Sequence, residues 1–132
     1  MKTFIYSITN STGKLDFKEW YAELVRNLDH FEYDKRVKVT PILGKFKGQT
    51  ELSIMLENVP REWVQMRCSI FGQDSFLEIN SIDGRAFICE GEVMQAIGNI
   101  QTVPSYQSID SSVDHSKNLL TGEVYLVSQN NL

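Results

Sequence analysis

Residues 37–57 read VKVTPILGKFKGQTELSIMLE, and the period of this stretch decides how the chain folds. Apolar and polar positions alternate, broken at Pro41, Gly44 and Gly48, which predicts two strands joined near Lys47-Gly48-Gln49. Successive side chains of a strand point to opposite sides, so in the second strand Leu52, Ile54 and Leu56 share one face. Glu51, Ser53, Met55 and Glu57 share the other. The aliphatic set is expected to face the core, with the Glu51 set standing away from it.

On the N-terminal side, Lys2–Thr9 alternates with Phe4, Tyr6 and Ile8 on one face, the pattern of a half-buried strand, and Asn10-Ser11-Thr12-Gly13 reads as a turn. Asp16 followed by Glu19 suits a capping-box-like helix start. Phe17, Tyr21, Leu24, Leu28 and Phe31 then recur at spacings of three and four. That stripe, widened by Trp20, is expected to pack on a sheet. On the C-terminal side Asn58-Val59-Pro60 opens a second helix, with Trp63, Met66 and Ile70 at helical spacing and Gly72 as its stop.

Residues 74–90 predict a second hairpin, with strands 75–80 and 85–90 closing on Asp83-Gly84 as a two-residue turn. In that register Ile79 opposes Ile88 and Asn80 opposes Phe87. Residues 92–97 fit either a short helix or a strand, and Gly98-Asn99 is read as ending it. Residues 101–117, rich in Ser, Asp and Gln, read as a long surface loop before a last strand at 123–128 and a frayed tail at 129–132. The expected fold is one α+β domain over residues 1–128, a mainly antiparallel sheet built from hairpins with two helices packed on one face.

Composition agrees with a single domain, since 132 residues at 42% hydrophobic and 23% charged can bury a core without disulfide or metal staples. No run approaches the roughly 18 apolar residues of a membrane span, and the start turns polar by Ser7, so the expected location is cytoplasmic. Cys68 and Cys89 stand apart from each other and from any histidine, and are read as reduced, buried, small hydrophobes. No metal site and no cofactor are expected. The net charge of −4 leaves no electrostatic footprint for generic nucleic-acid binding. Locally, Lys35, Arg36, Lys38, Lys45 and Lys47 gather five of the thirteen basic residues, which is read as a solvated strand edge guarded by lysines.

Signature motifs for phosphate loops, dinucleotide binding, zinc hydrolysis and serine hydrolysis are all missing. His30, beside Asp29 near a helix end, is read as structural. His115 follows Asp114 in the polar stretch, and neither histidine has a nucleophile at a recognisable spacing, so no catalytic residue is assigned. One constellation carries chemistry: Gly44, Lys45, Lys47, Gly48, Glu51 and Ser53 within ten residues of the first hairpin. Gly44 offers a notch and the lysines offer anion contacts. Gln73, Asp74 and Ser75, after Gly72, add an amide, a carboxylate and a hydroxyl. They read as a glycine cap with an Asx turn, or as a loop that meets the hairpin in one polar pocket where Glu51 and Asp74 share a proton or hold a cation or sugar hydroxyls.

The segment from Gly44 to Ser53, with Gly72-Gln73-Asp74-Ser75 and the strand from Gly84 to Cys89, resembles a loose family of small phage-encoded accessory proteins. Their pattern is G-x-[YF]-x-G-x-x-E-x-S followed by a helix and Q-[DE]-S. The resemblance covers about residues 40–98 and implies a context, a phage product acting inside a bacterial host, with no established activity. It departs from the commoner pattern in carrying aspartate at position 74, which shortens that carboxylate's reach.

Three functions fit these readings. The first is a non-enzymatic counter-defence or host-takeover protein that binds a host protein or a small nucleotide signal through the nine residues above. The second is a small hydrolase or transferase using Glu51, Asp74 and His115 as acid/base groups. The third is a structural oligomerisation module. A homo-oligomer is expected in any case, because Phe76, Phe87 and Cys89 make one apolar face of the second hairpin while Ile79 and Ile88 make the other.

Overall fold

A computed structural model describes residues 2–8, 14–110 and 113–128. Its elements run β1 (Lys2–Ser7), α1 (Phe17–His30), β2 (Lys38–Phe46), β3 (Gln49–Glu57), α2 (Arg61–Ile70), β4 (Phe76–Asn80), β5 (Arg85–Glu90), β6 (Val93–Val103), β7 (His115–Asn118) and β8 (Val124–Ser128). The turn expected at residues 10–13 and the tail at 129–132 lie outside the described residues. No helix among the described residues is long and apolar enough to cross a membrane.

The first hairpin forms as its sequence dictates. β2 and β3 pair antiparallel from Lys38 opposite Glu57 to Phe46 opposite Gln49. Lys47 and Gly48 are left as a two-residue turn with φ of 50° and 80°, the left-handed values that this tight turn requires. The strands then close on themselves in the order β1-β3-β2-β7-β8-β6-β5-β4, with β4 returning to β1 and every pairing antiparallel. The expected α+β arrangement, a mainly antiparallel sheet with two helices packed on one face, is therefore incorrect. The protein is a closed eight-stranded antiparallel β-barrel with two short helices laid against part of its outer wall.

Closure explains why the hairpins are apolar on both sides. Phe4, Tyr6, Leu52, Ile54, Leu56, Phe76 and Cys89 point outward into a core under α1 and α2, while Ile5, Ile42, Met55, Ile79 and Ala86 fill the barrel interior. Each face of the second hairpin is covered by the chain itself, so the reason for expecting a second copy falls away. The lysine-guarded edge survives only in part: β7 covers β2 from Ile42 to Lys45, while Lys38–Thr40 has β3 alone beside it in the ladder.

The second hairpin pairs Leu77 with Ile88 and Ile79 with Ala86, two residues away from the expected register. Asp83-Gly84 is not a two-residue turn. Residues 81–84 form the connection, Asn80 Oδ1 accepting from the Ile82 amide at 2.9 Å and Asp83 Oδ1 from the Arg85 amide at 2.9 Å. A shift of two leaves every side chain on its expected face. β6 does not stop at Gly98-Asn99. The ladder slips between Ala86 and Phe87, leaving Ile97 as an extra residue and Gly98 at φ 143°, and the strand bends and continues to Val103. The expected loop at 101–117 thus yields its start to β6 and its end to β7.

The helices dock differently from their apolar periodicity. Tyr21 and Leu28, on the predicted inward stripe, are 68% and 54% exposed, whereas Glu23 and Asn27 are buried. At about 100° per residue, the true inward face, centred on Trp20, Glu23, Asn27 and Phe31, lies roughly 80° around the helix from that stripe. Arg67 of α2 holds Glu23 through two of its nitrogens, Nε at 2.7 Å and Nη2, and the Tyr6 hydroxyl donates to the same carboxylate at 2.7 Å. Asn27 donates to Tyr6 Oη at 2.8 Å and accepts from the Trp63 indole at 2.8 Å. In α2, likewise, Met66 and Ile70 are exposed and Val64, Arg67 and Cys68 are buried.

Removing one partner of a buried ion pair strands the other charge, so Glu23→Ala should cost about 3–5 kcal/mol. Tyr21→Ala, on the stripe that periodicity favours, should stay within about 0.5 kcal/mol. Urea unfolding of both variants measures the difference, and equal costs would refute this docking of α1.

Candidate functional site

Aliphatic side chains pack the barrel toward the end where β1 begins. Beyond them a cavity of about 410 Å³ opens at the end formed by the Lys47-Gly48 turn and the loop between α2 and β4. Eight strands enclose an interior just wide enough to be filled by side chains or to hold one small ligand, and this barrel does each at a different depth. Leu77, Ile88, Ile97, Ile100 and Val127 form the apolar wall of the cavity. Ser7, Glu51, Ser53, Ser116 and Asp114 bring polar atoms to it from β1, β3, β7 and the segment before β7.

Strand alternation places these groups. Gly44, Glu51 and Ser116 sit in one row of the ladder across β2, β3 and β7, all pointing inward. A Cβ added at Gly44 would meet only ordinary contacts, 3.7 Å from the Glu51 and His115 carbonyl oxygens, so a longer side chain there would extend into the cavity. Ser53 stands two residues further along the same face of β3, and the Trp20 indole donates to its carbonyl at 2.9 Å, pinning this strand from outside. Asp114 accepts from the Lys47 amide at 2.8 Å and so fastens the turn to the segment leading into β7.

Of the nine residues singled out in the sequence, Gly44, Glu51, Ser53, Gln73 and Ser75 line this one cavity. The first hairpin and the α2–β4 loop do meet. Lys45, Lys47, Gly48 and Asp74 do not line it: Lys45 stands on the outer face of β2 opposite Thr50 and His115, and Lys47 and Gly48 make the turn. The second carboxylate at the cavity is Asp114 rather than Asp74. Its strand-like neighbourhood was hidden by a polar sequence that reads as loop, although its spacing of two from Ser116 is the signal that places both on one face. His115 reaches the rim, with Nδ1 donating to the Val113 carbonyl at 2.7 Å.

Burial pushes the Glu51 carboxyl above the ordinary carboxylate range, and the negative charge of Asp114 pushes it the same way. The site thus sets a carboxyl group that burial makes less acidic near a second carboxyl group, with serine hydroxyls around them. Among the described residues no group of three or more His, Cys, Asp and Glu side chains is arranged to hold a metal ion.

A carboxyl whose acidity is weakened by folding favours the folded state while protonated. That contribution is lost as pH rises from the unfolded value of 4.5 through the raised folded one. Glu51→Gln should therefore melt at a higher temperature than the parent protein at pH 7, with the gain vanishing below about pH 4. Thermal melts across that range check it, and a constant offset at every pH would count against the burial of this carboxyl. No protein-family model matches the chain, and no curated protein matches it, so the geometry of this cavity carries the functional reading.

Proposed function

We infer that the protein is a non-enzymatic binder that takes a small neutral or cationic organic group into the open end of the barrel. The observation that carries this is the convergence of the first hairpin and the α2–β4 loop on one cavity with an apolar wall and a two-carboxylate lip. A phosphate would be repelled there by Glu51 and Asp114. A nucleobase would not, because its flat apolar faces suit Ile88, Ile97 and Val127 and its edge can pair with the carboxyl groups and serine hydroxyls. In a small nucleotide signal the phosphates would then stay outside, near Lys45 and Lys47 on the outer lip. The resemblance of residues 40–98 to phage accessory proteins supports a counter-defence or host-takeover role for such a binder in the cytoplasm of a bacterial host.

A second reading, a hydrolase or transferase, is favoured by one observation, the acidity of Glu51 weakened by burial and by Asp114, the direction of shift that a general acid requires. The third reading, an oligomerisation module, has lost its argument with the covered hairpin faces.

Incubation with cyclic and linear nucleotides, denaturation, and chromatography of the released molecules separates the first two. A binder returns its ligand unchanged. An enzyme returns it altered, and Glu51→Gln then stops turnover while sparing binding. Gly44→Leu should fold normally, since its Cβ meets no clash, yet fill the cavity and abolish retention. If no nucleotide is retained or raises the melting temperature, the small-ligand reading fails and a host protein becomes the partner to seek by pull-down.

A further inference from the structure

At the opposite end of the barrel from this cavity lies a groove of about 690 Å³ that the nine-residue site does not touch. Lys2, Lys35, Arg36, Lys38 and Arg61 line it, arriving from three separate parts of the chain. Asn58 ties those parts together: its side chain donates to the Arg36 carbonyl at 2.7 Å and its amide to the Lys2 carbonyl at 3.3 Å. Phe4 and Val59 make the floor.

Five cations face few anions here. Glu78, 2% exposed, accepts from both Lys2 at 3.1 Å and Arg61 at 2.7 Å, which fixes two cations with a single negative charge. Arg36 pairs with Asp34. Lys35 and Lys38 make no ion pair among the described residues, although Glu57 stands opposite Lys38 in the ladder. α2 begins at Arg61 behind Pro60, which supplies no side-chain cap, so the positive end of the helix adds to the field, offset in part by Glu62.

We propose that this groove is an anion site for an oligophosphate, two or more phosphates in series, as in inorganic triphosphate or the phosphate chain of a nucleoside triphosphate. With Glu78 and Asp34 set against them, the five cations keep a surplus of three charges, more than a single phosphate, at about −2, can meet. A long nucleic acid is disfavoured by the net charge of −4, which repels a polyanion that extends beyond the groove. A compact chain of phosphates satisfies both limits. The site stands independently of the ligand proposed for the barrel cavity.

Isothermal calorimetry with inorganic triphosphate, orthophosphate and a single-stranded oligonucleotide tests it. Triphosphate should bind one per chain, at least about tenfold more tightly than orthophosphate, because each added charge-assisted contact contributes on that order. Lys35→Glu with Lys38→Glu, both exposed and outside the barrel core, should fold and weaken triphosphate binding about a hundredfold. Glu51→Gln should leave it unchanged, which separates failure here from failure of the cavity reading. Absence of saturable triphosphate binding, binding indifferent to the double variant in a protein whose circular dichroism is unchanged, or tighter binding of the oligonucleotide would each overturn the proposal.

Discussion

Burying the Glu23 carboxylate between α1 and the barrel wall is unfavourable unless each of its oxygens is met by a donor, and three separate elements of the chain supply what is needed. Arg67 comes from α2, the Tyr6 hydroxyl from β1, and Asn27, one turn along α1, locks Tyr6 and the Trp63 indole into the same set. Burial, and next the Glu23 charge, hold the Tyr6 phenol protonated far above its usual range, so it remains a donor. Every buried side-chain nitrogen and oxygen among the described residues has a partner. Sliding or rotating either helix would strand a charge in an apolar setting. The pair therefore fixes where both helices lie, and through Trp20 it steadies the strand that carries Glu51 and Ser53.

Barrel closure then sets the electrostatic character of the two ends. Along β3 the inward positions run from Glu51 and Ser53 through Met55 to Glu57, so one strand links the carboxylate-lipped cavity to the region of the basic groove. The aliphatic plug between them keeps the ends apart, because Ile42 and Ala86 leave no exposed surface. A modest net charge thus conceals two differently lined ends, carboxylates at the cavity and cations at the groove.

Much of the local structure was legible in the sequence, and the reasons for the rest are physical. The Lys47-Gly48 turn could be read because only a few residue pairs tolerate positive φ twice in succession, and it fixed the first hairpin and the inward row of Gly44, Glu51 and Ser53. The orientation of α1 could not, because what draws Glu23 inward is Arg67, 44 positions later, and apolar periodicity is blind to a partner so distant. Closure escaped for a related reason. Strands apolar on both faces suit a barrel and a two-layer assembly equally, and the piece that completes the barrel, β7, carries the polar run His115-Ser116-Lys117-Asn118. Because β7 is polar throughout, nothing in the sequence brings Asp114 to the site, and Asp74 stands in its place in a reading by spacing alone.

The order of strands around the barrel also bears on how the chain reaches this state. β7 and β8 come last in sequence yet fill the gap between β2 and β6. During synthesis the earlier strands emerge first, and until Val124–Ser128 leaves the ribosome β2 and β6 each present a row of unpaired amides and carbonyls. Pairing strands so far apart in sequence requires large loops to be closed before any contact is gained, which makes the final step slow. The nascent protein is thus stickiest in the interval before β7 and β8 can pair, when shielding by a chaperone matters most.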